Sequence, residues 1–195
     1  MIVTSDLLVS GKKHRVRKVI AQVAFIALAL CLSSCTRMNV NVSNGLVLPS
    51  HTRLIIGPLA NHTDTPLANR RVESMLVGYM QTKGFKNVTP YPRQPSCEKL
   101  LYCADESMPN SRLVAWARHH HVAFVLTGSV NEWRYKVGLD GEPVAGVSLA
   151  LINVNTGKTV WTGVGGVIGG SRSGLDIVGQ QLLVKLLNNL GADGK

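Results

Sequence analysis

Three consecutive strand signals divided by two turns run from Val122 to Ile168 and commit the chain to a sheet-based fold. Val122–Val137 (VAFVLTGSVNEWRYKV) opens as a continuous apolar run and changes to alternation around Trp133 and Tyr135. Asp140-Gly141 supplies hairpin chemistry. Val144–Asn153 alternates again, with Val147, Leu149 and Leu151 set against Ser148, Ala150 and Ile152. Asn155-Thr156-Gly157 makes a second tight turn, and Lys158–Ile168 returns as the third strand. Beyond a flexible loop, Gly169–Gly174, the closing helix spans Leu175–Leu190. Its inward side carries Ile177, Val178, Leu182, Leu183, Leu186, Leu187 and Leu190.

Upstream the pattern alternates between strand and helix. Arg53–Ile56 is a short apolar run stopped by Gly57-Pro58. A helix follows, with Thr65 as N-cap, Pro66 at the first helical position and Gly84 closing it. Val72, Met75, Leu76, Tyr79 and Met80 form its apolar face, and both methionines read as core. Asn87–Tyr91 is the next strand, and Ser111 caps a helix to about His120 that turns Leu113, Val114, Ala117 and Trp116 inward. The order β-α-β-α-β-β-β-α predicts an α/β fold, a single sandwich domain with a mixed sheet.

The amino-terminal quarter has a different character. Lys12, Lys13, Arg15, Arg17 and Lys18 precede an uncharged run, Val19–Leu32, and small residues then lead to a cysteine. That order is a secretory signal; the run is shorter than the roughly 20 residues of a spanning helix. Leu32-Ser33-Ser34-Cys35 resembles the lipobox of bacterial lipoproteins, which implies cleavage after residue 34 and acylation of Cys35. Acyl chains anchor a protein by about 0.8 kcal/mol per buried CH₂. Thr36 in place of Asp after the cysteine implies, by the same resemblance, an outer-membrane destination. The expected organisation is a signal peptide over 1–34, a lipidated tether over 35–51 and a periplasmic α/β domain over 52–195. The tether (TRMNVNVSNGLVLPS) is short of large apolar residues, with one candidate edge strand at Gly45–Leu48, and would reach about 50 Å when extended.

Loss of the signal leaves 161 residues with 16 basic and 10 acidic side chains. The resulting +6 is scattered, without the Lys/Arg stripe and aromatic platforms of a nucleic-acid binder. Its expected effects are solubility and attraction to anionic headgroups. Cys97 and Cys103, with five residues between them in a Pro-rich stretch, read as a disulfide closing a small loop in an oxidising compartment. Such a loop contributes on the order of 2 kcal/mol.

Residues 53–190 resemble the fold shared by the amino-terminal domain of TolB and by CsgG. The likeness is strongest to the PelC family of Pel exopolysaccharide export lipoproteins. It rests on Leu126-Thr127-Gly128-Ser129-Val130-Asn131-Glu132-Trp133-Arg134-Tyr135-Lys136, Gly138-Leu139-Asp140-Gly141-Glu142-Pro143 and Gly157-Lys158-Thr159-Val160-Trp161. Ser171-Arg172-Ser173-Gly174-Leu175, leading into the last helix, also fits. The resemblance implies a non-enzymatic ring of identical subunits, dodecamer-type, under a PelB-like porin at the inner face of the outer membrane. It also implies an acidic surface guiding a cationic exopolysaccharide, which falls here on Asp140 with Glu142 beside it. A ring repeats one carboxylate around an axis and focuses negative potential on a passing polycation. Asp140-Gly141 also reads as a plain turn. The family's membrane-dipping aromatic, in the loop before the last helix, is absent; Val167, Ile168 and Arg172 occupy that membrane-proximal region.

Other constellations in the sequence offer competing readings. Trp133, Trp161 and Tyr135 read as a sugar-stacking platform, as half-buried strand aromatics or, for Trp133 and Tyr135 on one face, as a subunit interface. His119-His120-His121 splay around a helix end and suit a cationic cap better than a metal site. Gly163-Val164-Gly165-Gly166 lacks the Lys-Ser/Thr of a phosphate loop. No Gly-x-Ser-x-Gly or glycosidase carboxylate pair is present, so neither an enzyme nor a cofactor is expected. The competing class is a monomeric periplasmic regulator of a cell-wall synthase, like LpoB, for which a long disordered tether would be needed. A self-made curli-type pore would need long amphipathic hairpins, which this sequence lacks.

Overall fold

Alternation along the strands sets which helix each face of the sheet accepts. The computed structural model describes residues 36–93, 108–138 and 141–193; residues 18, 20 and 22, all helical, belong to a separate unit, Met1–Cys35. Cys35, the Cys97–Cys103 pair and Asp140 lie outside the described residues. The second unit contains β1 (Arg37–Val42), β2 (Leu46–Leu48), β3 (Arg53–Asn61), α1 (Ala68–Thr82) and β4 (Asn87–Pro90). It continues with α2 (Asn110–His119), β5 (Phe124–Tyr135), β6 (Pro143–Asn153), β7 (Thr159–Ile168), α3 (Leu175–Leu186) and β8 (Leu190–Ala192).

Six strands form a mixed sheet in the order β1-β7-β6-β5-β3-β4. The β3 strand runs parallel to β4 and β5, whereas β5-β6-β7-β1 is antiparallel throughout. Leu54 and Ile56 of β3, Leu126 and Val130 of β5, and Val147, Leu149 and Leu151 of β6 turn to one face. There they meet Val72, Leu76 and Met80 of α1 and Val178, Leu182, Leu183 and Leu186 of α3. Ile55, Val125 and Ile152, one residue out of phase, turn to the other face and pack on Leu113, Val114 and Ala117 of α2. This is the expected α/β sandwich with a mixed sheet.

Several local expectations need correction. The segment expected as a tether is not free over 37–42, because β1 pairs along its whole length with β7, from Arg37↔Ile168 to Val42↔Gly163. Met38 and Val40 reach the main core from this edge, which explains why so polar a segment joins the sheet. The candidate strand near Gly45–Leu48 is present as β2, paired in parallel with β8. Leu190 therefore begins a strand instead of ending the last helix. Ile177, expected inward, is 54% exposed; Val178 and Gly179 take the buried side of α3.

The first strand does not stop at Gly57-Pro58. A register shift between Ile56 and Leu59 carries it on to Asn61. Backbone groups freed by the bulge are bonded by side chains: Leu59 N–H donates to Glu73 Oε1 (2.8 Å) and Asn69 Nδ2 donates to the Leu59 carbonyl (3.0 Å). Thr127 Oγ1 donates to the Pro58 carbonyl at 2.9 Å. Arg93 then grips both oxygens of Glu73 at 2.8 and 2.7 Å. Asn69 and Glu73 fall on the apolar stripe of α1, and that misplaced polarity was the sequence signal for the lock. Thr65 is not the N-cap of α1: its hydroxyl donates to the Trp133 carbonyl, and the helix begins after Leu67, which has φ 60°.

Candidate functional site

Four strand ends meet at one edge of the sheet. Register places Arg37 of β1 beside Ile168 of β7, Ile168 beside Val144 of β6, and Pro143 of β6 beside Tyr135 of β5. Two backbone bonds close the group, from Lys136 N–H to the Glu142 carbonyl (2.8 Å) and from Gly169 N–H to the Pro143 carbonyl (2.9 Å). The β5–β6 connection, the loop before α3 and the start of the domain therefore share one end of the molecule.

The β5–β6 connection leaves five residues, 137–141, between the last bonded positions. The connection is therefore longer than a two-residue turn; Asp140 itself lies outside the described residues. Gly141 has φ +50°, the left-handed region that glycine enters without steric cost. Glu142 Oε2 accepts from Lys136 Nζ at 2.9 Å, and Glu132 Oε1 accepts from Arg134 at 2.7 Å. Asp176 in the first turn of α3 faces Arg71 at 3.4 Å. Each of these carboxylates has a basic neighbour that offsets its charge.

The expected site residues separate by burial. Trp133 is 1% exposed and lies in the core against α3, where a Cβ at Gly179 would overlap its ring. It is not a surface residue, because its ring packs against α3 within the main core. Trp161 is equally enclosed, its indole N–H donating to Asn189 Oδ1 at 3.0 Å. Tyr135 lies two residues beyond Trp133 on the same face but past the helix, and is 51% exposed; its hydroxyl accepts from the Leu175 N–H at 3.0 Å. Thr65, Arg71, Tyr135 and Ile177 border a groove of about 460 Å³ there.

Val167 and Ile168 lie on β7 rather than in a loop. Val167 is 2% exposed and packs into the main core, so its side chain is withheld from a membrane, whereas Ile168 is half-buried on the opposite face. Arg172 is exposed in the connecting loop. Val137, which closes the strand pattern of Val122–Val137 in the sequence, is fully exposed beyond the end of β5. At the other end, His120 stacks on Trp116 with ring centroids 4.4 Å apart, and His121 has φ 53° just beyond α2. Among the described residues, no three His, Cys, Asp or Glu side chains group as metal ligands.

No family model and no curated protein matches the sequence. Among solved structures, the PelC dodecamer from Paraburkholderia phytofirmans is 34% identical and superposes with a TM-score of 0.68. The match covers 80% of this chain and 99% of that one. A variant of that PelC dodecamer is 33% identical at a TM-score of 0.66, covering 78% and 97%. Lipoprotein GNA1162 from Neisseria meningitidis, 16% identical with a TM-score of 0.50 over 70% and 96%, shares the fold.

Proposed function

The chain belongs to the PelC family, and on that premise we propose that it is a non-enzymatic outer-membrane lipoprotein whose copies form a periplasmic ring. The ring assists export of a cationic exopolysaccharide of the Pel type through an outer-membrane porin. The observation that carries this reading is the 34% identity to a PelC dodecamer over 99% of that protein's chain. A closed ring uses a heterologous contact, so each subunit presents two different patches. Tyr135, exposed at the sheet end, is a candidate contact; Trp133 shapes that patch from beneath.

Asp140 is the guiding carboxylate in this proposal. Glu142 contributes less, since Lys136 neutralises it at 2.9 Å. The extent of β1 supports a membrane-proximal role over that of a far-reaching synthase regulator: only Thr36 separates Cys35 from the sheet. Native mass spectrometry of the mature chain in detergent tests the ring. The expected species is a closed oligomer of dodecamer type, and a monomer at high concentration would overturn the proposal.

A further inference from the structure

The end of the sheet away from Arg37 is basic. Backbone bonds gather it: Lys86 N–H donates to the Ser50 carbonyl, Ala123 N–H to that of Arg53 and Val154 N–H to that of Ala123, each at 3.0 Å. Asn153 N–H donates to the Lys158 carbonyl at 2.9 Å, and Arg118 reaches from α2 to the Val154 carbonyl at 2.9 Å. His51, Arg53, Lys86, Arg118 and Lys158 are exposed there, together with the three histidines at the end of α2. Among the described residues, Asp193 is the carboxylate at this end, and it accepts from the Ser50 N–H. Glu98, Asp105 and Glu106 lie outside the described residues, in a stretch that leaves the fold at Arg93, bound to Glu73, and re-enters at Met108. Met108 precedes α2, whose ten residues put about 15 Å between its start and the histidines. Uncompensated cations concentrate positive potential and draw anionic ligands. Beside them His120 stacks on Trp116 with ring centroids 4.4 Å apart, and Trp116 meets Tyr91 edge-on at 4.6 Å. Half-buried aromatic faces next to cations suit a sugar ring that carries anionic groups.

Position selects the partner. Lys158 and Ile168 are separated by the length of β7, about 33 Å of strand, and Ile168 is the register partner of Arg37, close in sequence to Cys35. That separation is several times the roughly 8 Å over which headgroup charge acts in physiological salt. With Cys35 acylated, the basic end therefore meets the periplasm and not the bilayer. We propose that this end binds peptidoglycan, the carboxylate-bearing glycan of that compartment. Arg53, Lys86 and Lys158 take the carboxylates, and the Trp116–His120 pair lies against a sugar ring. This inference rests on the lipoprotein reading of Cys35.

The test co-sediments the mature chain, purified with its lipid in detergent, with purified peptidoglycan sacculi. The expected result is saturable binding that weakens as salt rises and is lost on sacculi whose carboxylates have been converted to methylamides. Lys86→Glu and Lys158→Glu should each weaken binding at least about fivefold, the worth of one cation beside an anionic surface. Arg112→Glu makes the same change of charge at an exposed position near the start of α2 and should shift binding less than about twofold. Circular dichroism checks that each variant keeps its fold. Absence of sedimentation, equal binding to the neutralised sacculi, or an equal loss with Arg112→Glu would overturn the proposal. Mass spectrometry of the amino-terminal peptide separates the two failures. An acylated chain that does not sediment removes the wall contact alone, and an unacylated chain removes the lipoprotein reading and the inference with it.

Discussion

Gly179 faces the buried ring of Trp133 from the middle of α3, and no side chain fits between them. Helix propensity alone would make Gly179→Ala stabilising by about 1 kcal/mol. Overpacking a filled core costs about 1–3 kcal/mol, and the Trp133 ring has no exposed side toward which to move. Chemical denaturation should therefore show a net loss of stability, and a gain would contradict the packing. Asp140 and Glu142 pose a different question, because the two acids are near neighbours in the sequence and Lys136 meets the Glu142 carboxylate at 2.9 Å. Asp140→Ala should preserve the circular dichroism spectrum and reduce polysaccharide secretion, while Glu142→Gln should reduce it far less. Equal secretion by Asp140→Ala and the parent would remove the guiding role. Neither environment was legible locally: Trp133 and Tyr135 are two residues apart in one alternating strand, yet α3 covers one and ends before the other.

At the scale of elements, the edge strand β1 explains how a polar segment becomes structural. It caps the open edge of β7, whose backbone groups would otherwise be a template for another chain. Its apolar contribution is Met38 and Val40, both half-buried. Replacing both by Asp should cost about 2–3 kcal/mol and detach the strand. Amide exchange at Gly163–Val167 should then accelerate at least about tenfold, in keeping with local opening, while the centres of β5 and β6 remain protected. Unchanged exchange would show that β7 holds its edge without β1. Helices and central strands were readable because apolar period, turns and length all agree there. This edge was not, since alternation of Met38 and Val40 with asparagines gives too little apolar weight, and partners 125 and 129 residues away supply the rest (Val40↔Gly165 and Met38↔Val167). The bulge in β3 was equally hidden, because Gly57-Pro58 reads as a stop unless Glu73 and Asn69 are known to bond Leu59.

For the whole molecule, integration of β1 alters what a lipid anchor would do. A long tether would let a lipid-anchored domain explore the periplasm, whereas a single residue between an acylated Cys35 and β1 would keep the sheet end near the bilayer. Cys35→Ser should accordingly release the mature chain into the soluble periplasmic fraction, read by membrane fractionation; full retention would show that protein contacts suffice. The amino-acid sequence by itself determined the sandwich class, the helix faces and the kinship carried by the segment from Leu126 to Pro143, because periodicity and motif are properties of neighbouring residues. Only the tertiary structure decided that Trp133 and Val167 are core, that Val137 is bare and that the presumed tether is a strand. Exposure is a property of what packs on top, and α3 and β7, which do that packing, lie far along the chain from the residues they cover or join.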